Sequence, residues 1–148
     1  MKSNPVVRLA EDEKEIQRCY PVMSQLRPNI SRDKYLRRIQ CQMKQGYLLS
    51  YLECRGAIVS VSGFRLGECL AWGKYLYVED FVTDQGERSK GNGHVLFNWL
   101  ISLAKTKNCE QIHLDSGVQR FEAHSFYFRQ GMKIASHHFS IHIQRGGD

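Results

Sequence analysis

The sequence lacks the cysteine spacing of a zinc or dithiol redox site. No two of its cysteines are separated by only two residues, which excludes the zinc-ribbon and redox motifs. They are odd in number and widely spaced, as expected for reduced thiols in a reducing cytoplasm. We therefore expect a cytoplasmic protein. The five positions are Cys19, Cys41, Cys54, Cys69 and Cys109.

Long apolar runs are also missing. No stretch approaches the ~18–20 apolar residues that a membrane-spanning helix needs, and no apolar run follows the N-terminal residues, so we expect neither a membrane span nor a signal peptide. Internal repeats, low-complexity segments and linkers are absent. The length of 148 residues predicts one domain, residues 1–148, large enough to bury a core without disulfides.

Positive charge is in excess. The chain has 21 Lys and Arg against 15 Asp and Glu, a net charge of +6, which favours an anionic ligand such as a nucleotide, a nucleic acid or a phosphorylated cofactor. We do not expect nucleic-acid binding, because no RNA-binding motif or interleaved exposed aromatic residues accompany the basic cluster on one predicted helix. That cluster is Arg32, Lys34, Arg37, Arg38 and Lys44.

The hydrophobic periodicity predicts an α/β fold with a mixed sheet and helices on both faces. Antiparallel hairpins come first, and a helical crossover then joins two parallel strands. The predicted order is β-α-α-β-β-β-α-β-α-β-β, and Pro21 is expected to interrupt the first helix. Strands are predicted at 6–10, 47–54, 57–65, 74–83, 111–115, 132–135 and 137–143, and the later helices at 91–107 and 122–130.

A glycine-containing loop precedes the third predicted helix. Two glycines one residue apart let the backbone approach a ligand where a Cβ would intrude. The helix that begins there points unpaired N–H groups and the positive end of its dipole at the same place, and two cations stand beside it. The loop predicts a pyrophosphate site formed by Arg88, Ser89, Lys90, Gly91, Asn92 and Gly93.

Two other phosphate motifs do not fit this loop. The Walker A pattern GxxxxGK[ST] is absent. The dinucleotide fingerprint requires a third glycine where Leu96 stands, and it follows the first strand of its fold, whereas this loop lies past the middle of the chain. Nucleoside triphosphates and dinucleotides are therefore not the leading ligands.

The pattern Arg88-x-x-Gly91-x-Gly93 after a Val-rich strand resembles the acyl-CoA loop of the GNAT superfamily of N-acetyltransferases. A second segment, residues 123–132 (AHSFYFRQGM), is similar to that family's AxxFYxxxGF segment, with Met132 in place of the usual Phe. The predicted element order agrees as well, and the resemblance extends from Val6 to Ile143. It implies transfer of an acetyl group from acetyl-CoA to an amine by direct attack on the thioester.

The resemblance also implies roles for residues along the chain. The loop would hold the phosphates of acetyl-CoA, and the pantetheine arm would lie along the backbone of Phe81, Val82 and Thr83 like an added strand. The N–H of Val82 would face the thioester oxygen. Tyr127 would protonate the leaving thiolate as general acid, and Phe126 and Tyr127 would contact the cofactor. No metal is implied.

Two carboxylates on the long predicted strand at 74–83 are candidates for the general base that deprotonates the amine, Glu79 and Asp80. Successive strand residues point to opposite faces, so both enter one cleft only if a bulge intervenes. Alternation places Asp80 on an apolar face with Leu76 and Val78, where poor hydration suits a base, and we prefer it. Water-mediated proton transfer remains open.

Three histidines crowd the C-terminal strand, but His137 and His138 face opposite ways, and His138 and His142 would be ~13 Å apart. They do not predict a metal site. Phe139, Ile141 and Ile143 alternate with them on an apolar face, and a homodimer is one way to cover it. A non-catalytic acyl-CoA-binding regulatory domain is the alternative to an enzyme, although such a domain needs neither a tyrosine acid nor a carboxylate. The acceptor is not identified.

Overall fold

The computed structural model describes residues 4–146. The chain divides into two compact units, Met1–Leu114 and Asp115–Asp148, which are described separately below. The family resemblance crosses this boundary, and the single domain over residues 1–148 stays a prediction.

The first unit contains the sheet and four helices. The predicted break at Pro21 is confirmed, because one helix ends at Arg18 and the next begins at Tyr20 with the proline in its first turn. The elements are β1 (Val6–Leu9), α1 (Glu13–Arg18), α2 (Tyr20–Leu26), α3 (Arg32–Met43), β2 (Leu48–Cys54), β3 (Ala57–Cys69), β4 (Gly73–Thr83), α4 (Asn92–Thr106) and β5 (Gln111–Leu114).

The sheet has the mixed topology that the sequence predicts. Its strand order is β1-β2-β3-β4-β5. The first four strands are antiparallel neighbours, and β4 pairs with β5 in parallel through the crossover helix α4. A parallel pair requires such a crossover, whereas β2 and β3 are joined by a tight turn at Arg55 and Gly56.

Helices cover both faces of this sheet. On one face, residues of α1, α2 and α3 such as Ile16, Met23 and Ile39 form one buried cluster with Val61 and Val82 of the sheet. On the other face, α4 packs Phe97 against Phe81 of β4 with ring centroids 6.1 Å apart and Trp99 against Phe64 of β3 at 6.2 Å. The adjacent residues Phe81 and Val82 thus serve opposite faces, as strand alternation requires.

The second unit contains the helix α5 (Phe121–Arg129). The helix ends where Gly131 adopts a φ of 89°, which agrees with the predicted stop. The two strands predicted at 132–135 and 137–143 are wrong, because no strand forms after α5 among the described residues. The alternation of apolar residues does not show whether another strand is available for pairing. The apolar side chains of this segment are exposed, namely Ile134, Phe139, Ile141 and Ile143.

A buried cysteine thiol and a buried tyrosine hydroxyl make the stability of the fold sensitive to high pH. Burial raises the pKa of Cys19 from 9.0 to about 12. Burial, together with the hydrogen bond to Glu15, raises the pKa of Tyr51 from 10.0 to about 12. Between the unfolded and folded pKa of each group, the folded chain keeps a proton that the unfolded chain has lost. This contribution to stability is therefore full below the unfolded pKa and is lost as the pH rises.

We expect the free energy of unfolding to decrease between pH 9 and pH 12, with about 1.4 kcal/mol lost per pH unit for each such proton. Urea unfolding at a series of pH values measures this slope. The variant Tyr51→Phe should lose less stability between pH 10 and pH 12 than the parent chain. An unchanged slope in this variant would contradict the role of Tyr51.

Candidate active site

The loop before α4 has the backbone geometry of an anion site. Ser89 and Gly91 both have positive φ, 64° and 82°, and Gly91 is the N-cap of α4. No side chain caps the helix and no acidic residue lies in its first turn, within the part of the chain that the structure describes. That turn therefore holds no carboxylate that would repel a bound anion.

Gly91 is favoured at this position by its positive φ, and the space beside it is open. An added Cβ would find no protein atom within 4 Å, yet the φ of +82° disfavours other residues. The loop is closed by Asn92, whose Nδ2 donates to the Glu87 carbonyl at 3.0 Å. The Nζ of Lys90 pairs with Glu87 Oε2 at 3.1 Å, so this cation is partly neutralised.

The part of β4 beyond its pairing with β5, called the splay below, includes the edge that was predicted to receive an extended ligand arm. The parallel ladder runs from Tyr75 opposite Gln111 to Val78 opposite Leu114, and β4 itself continues to Thr83 without further pairing to β5 among the described residues. An extended ligand arm can add to such an edge as a strand would. The splay thus lies where Phe81, Val82 and Thr83 lead into the loop.

The direction of each N–H group on this edge follows from the antiparallel register. The N–H of Asp84 donates to Val59 of β3 at 2.7 Å, and Val82 lies opposite Val61. Because alternate residues of a strand point the same way, the N–H of Val82 also points toward β3. The N–H groups of Phe81 and Thr83 point to the other side, where β5 lies.

A β-bulge brings both candidate bases to one face. Gly63 of β3 lies opposite Asp80, whereas the next residue, Phe64, lies opposite Val78. Glu79 is therefore the extra residue, and alternation is reset at this point. Regular alternation predicted that Asp80 shares a face with Val78, and this prediction is wrong. Asp80 instead points with Glu79 toward the side covered by α2 and α3.

Each oxygen of Asp80 accepts one hydrogen bond. Tyr47 Oη donates to Oδ2 at 2.8 Å, and Arg27 Nε donates to Oδ1 at 2.8 Å. The second Arg27 nitrogen donates to the Glu79 carbonyl at 3.0 Å. The Glu79 side chain pairs with Arg65. The Asp80 side chain is only 15% exposed, against 32% for Glu79.

Tyr47 and Gly63 were missed by the sequence analysis. Burial, followed by the charge of Asp80, raises the pKa of Tyr47 well above its ordinary value, so its hydroxyl stays a donor at neutral pH. A Cβ on Gly63 would lie 1.6 Å from Tyr47 Oη, and this glycine therefore makes room for the contact with Asp80. A glycine inside a strand pattern was the available signal for a bulge or a close approach.

A cavity of about 230 Å³ lies beside these carboxylates. Its walls combine apolar, aromatic and charged side chains from α2, the segment between α2 and α3, α3, the residue before β2 and the strand β4. They are Met23, Arg27, Ile30, Tyr35, Arg38, Ile39, Gln42, Tyr47, Glu79 and Asp80. Both candidate bases thus face a space large enough for a small molecule.

Tyr127 lies in α5 of the second unit and is 9% exposed. Its ring packs edge-on to Phe126 with centroids 5.5 Å apart. Burial raises the pKa of Tyr127 above 10.0, and the charge of Arg120 opposes this shift in part. The hydroxyl is therefore protonated at neutral pH, the state that a general acid requires.

Two further properties concern the described residues as a whole. No helix within residues 4–146 is long and apolar enough to cross a membrane. Over the same range, no group of three or more His, Cys, Asp or Glu side chains is arranged to hold a metal ion.

The chain matches a family model and a curated protein. The model of the Acetyltransferase (GNAT) family matches residues 13–132. The chain is 34% identical over 122 residues to an uncharacterized N-acetyltransferase, YhdJ, of Bacillus subtilis (strain 168). That alignment covers 81% of this chain and 86% of the relative.

Solved structures share the fold over nearly the whole chain. A transcriptional regulator from Bacillus halodurans superposes with a TM-score of 0.83 at 21% identity, covering 95% of this chain and 100% of that one. The aminoglycoside N-acetyltransferase AAC(6')-Iy in complex with CoA gives 0.84 at 11% identity, with 98% of both chains covered. Glucosamine-6-phosphate N-acetyltransferase from Arabidopsis thaliana gives 0.75 at 20% identity, covering 96% and 100%.

Proposed function

Because the chain belongs to the GNAT family of acetyltransferases, we propose that it moves the acetyl group of acetyl-CoA to a primary amine by direct attack of the amine on the thioester. Membership of this family means that the chain is an acetyl-CoA-dependent N-acetyltransferase. The observation that carries the detailed proposal is the bulge at Glu79, which puts two carboxylates on one cavity at the splayed part of β4.

On the donor side, the loop residues 88–93 would hold the phosphates through their N–H groups and the N-terminus of α4. Acetyl-CoA supplies the activated acyl group as co-substrate. The edge of Phe81, Val82 and Thr83 would hydrogen-bond the pantetheine amides. For the thioester oxygen, the register favours the N–H groups of Phe81 or Thr83 over that of Val82, because these point away from β3.

On the acceptor side, Asp80 would accept a proton from the amine, directly or through water. Tyr47 and Arg27 fix the orientation of its carboxylate. As the amine nitrogen attacks, a C–N bond forms and the C–S bond of the thioester breaks. Tyr127 would give its proton to the leaving thiolate and so complete the exchange. Glu79 is the second candidate base.

The test follows thiol release from acetyl-CoA in the presence of a panel of primary amines, with CoA binding measured by calorimetry. We expect binding and release that depends on the amine. Binding without turnover on any amine would favour the non-catalytic acyl-CoA-binding domain. If CoA does not bind at all, both functions are contradicted.

A pair of glycine variants controls for the loop. Gly91→Val fills the space beside the loop, whereas Gly56→Val changes a turn glycine of nearly the same φ, +79° against +82°, that also has no protein atom within 4 Å of an added Cβ. Both carry the backbone strain of a left-handed residue, about 1–2 kcal/mol. Only Gly91→Val should lose CoA affinity. Equal affinities would contradict the phosphate site.

We also propose a cytoplasmic location and a homodimer. The reduced cysteines support the first, and five are free in the structure. The exposed Phe139, Ile141 and Ile143, each at least 84% exposed, support the second, because an interface would remove apolar surface from water. A purely monomeric protein in analytical ultracentrifugation would contradict the homodimer.

A further inference from the structure

The charges around the acceptor cavity are unevenly matched. Of the four charged side chains that line it, Arg27 pairs with Asp80, and Glu79 pairs with Arg65 from outside the lining. Arg38, the fourth, makes no ion pair within residues 4–146. Arg38 thus lines the cavity without an ion-pair partner among residues 4–146.

Arg38 lies on the side of α3 that faces the cavity. Its neighbours three residues before and four residues after, Tyr35 and Gln42, also line the space, as spacing on one helix face requires. Arg37, one residue away, does not line it. Residues Glu79 and Asp80 of the bulge thus line the strand side of the cavity, and Arg38 lines the helix side.

The cavity also limits the size of the acceptor. A volume of about 230 Å³ is smaller than the ~300–1,000 Å³ of pockets for drug-sized ligands. Met23, Ile30 and Ile39 add an apolar wall. These properties suit a small molecule with a short apolar portion.

We propose that the acceptor is a small amino carboxylic acid, whose amine lies near Glu79 and Asp80 and whose carboxylate binds Arg38. This inference rests on the proposed acetyl transfer and names its substrate class. A guanidinium binds a carboxylate through two parallel hydrogen bonds, and the amine must lie near Glu79 and Asp80 because the proposed base removes its proton there. A polyamine would instead place ammonium groups against Arg27 and Arg38.

The experiment compares amino acids with apolar side chains and the corresponding amino acid amides, which keep the amine but lose the anionic group. Thiol release from acetyl-CoA gives kcat/KM for each pair. We expect the acid to exceed its amide by at least about tenfold, the factor that corresponds to ~1.4 kcal/mol for one charge-assisted contact.

Variants of neighbouring arginines assign this preference to one side chain. Arg38→Gln should lower kcat/KM for the acid about tenfold, mainly through KM, and leave the amide unchanged. Arg38→Lys should retain part of the preference because it keeps the charge. Arg37→Gln is the matched control, and it should behave as the parent chain.

The outcomes distinguish a failure of the proposed substrate class from a failure of the proposed acetyl transfer. Equal kcat/KM for acid and amide, or turnover only on amines without a carboxylate, overturns the substrate class and leaves acetyl transfer standing. A loss in Arg38→Gln that is equal for acid and amide overturns the role of Arg38. CoA binding without thiol release on any amine overturns the proposed function, and the substrate class with it.

Discussion

The variant Asp80→Asn should lower kcat at least about 100-fold while the protein still binds CoA. A positioned general base contributes ~10²–10⁴-fold, and an amide of the same shape cannot accept the proton. The carboxylate lies on the cavity, held by Tyr47 and Arg27 at 2.8 Å each. Steady-state kinetics with a saturating amine, beside calorimetric CoA binding, measure both effects.

Glu79→Gln is the matched control for this prediction. The two carboxylates are adjacent and line the same cavity, but Glu79 is more exposed and its charge is paired with Arg65. We expect the smaller loss of kcat in Glu79→Gln. The opposite order would assign the base to Glu79, and a melting temperature near that of the parent chain must accompany either loss.

The second large effect is expected for Tyr127→Phe, with kcat about 100-fold lower and CoA affinity within about twofold of the parent. The substitution removes only the hydroxyl, so the packing of the ring against Phe126 is retained. Because burial raises the pKa of Tyr127, its proton is available throughout the neutral range. Any loss of kcat caused by its ionisation should begin only above pH 10.

Kinetics from pH 6 to pH 10 test this assignment. Tyr75→Phe serves as control, because Tyr75 on β4 makes an aromatic contact with Trp72 in the preceding turn and has no proposed catalytic role. A kcat in Tyr127→Phe equal to that of the control would contradict the general acid. A decrease in CoA affinity with unchanged kcat would place Tyr127 in binding alone.

Local sequence signals predicted most elements of the first unit. Alternation located β2, β3 and β4, helical periodicity located α4, and Pro21 marked the break between α1 and α2. These signals act over a few residues, through side-chain direction and backbone restriction. The positive φ of Gly91, which the loop needs, is likewise a property of one residue and its immediate neighbours.

Contacts between distant residues explain what the sequence analysis missed. The strands at 132–135 and 137–143 were predicted from alternation, but a strand exists only where another strand offers hydrogen bonds. The regular alternation assumed for β4 was also wrong at one point, since the bulge at Glu79 depends on the register with Gly63 and Phe64 of β3.

The sequence by itself indicated the family, the candidate phosphate loop and the short list of candidate reactive residues, because motif spacing and glycine conformation are encoded locally. Only the tertiary structure decided that Glu79 and Asp80 face one cavity, and that Tyr47 and Arg27 hold Asp80. It also decided that Arg38 lines this space without an ion-pair partner in the part of the chain that the structure describes. The physical reason is that the bulge register and the approach of α2 and α3 to β4 join residues from distant parts of the chain.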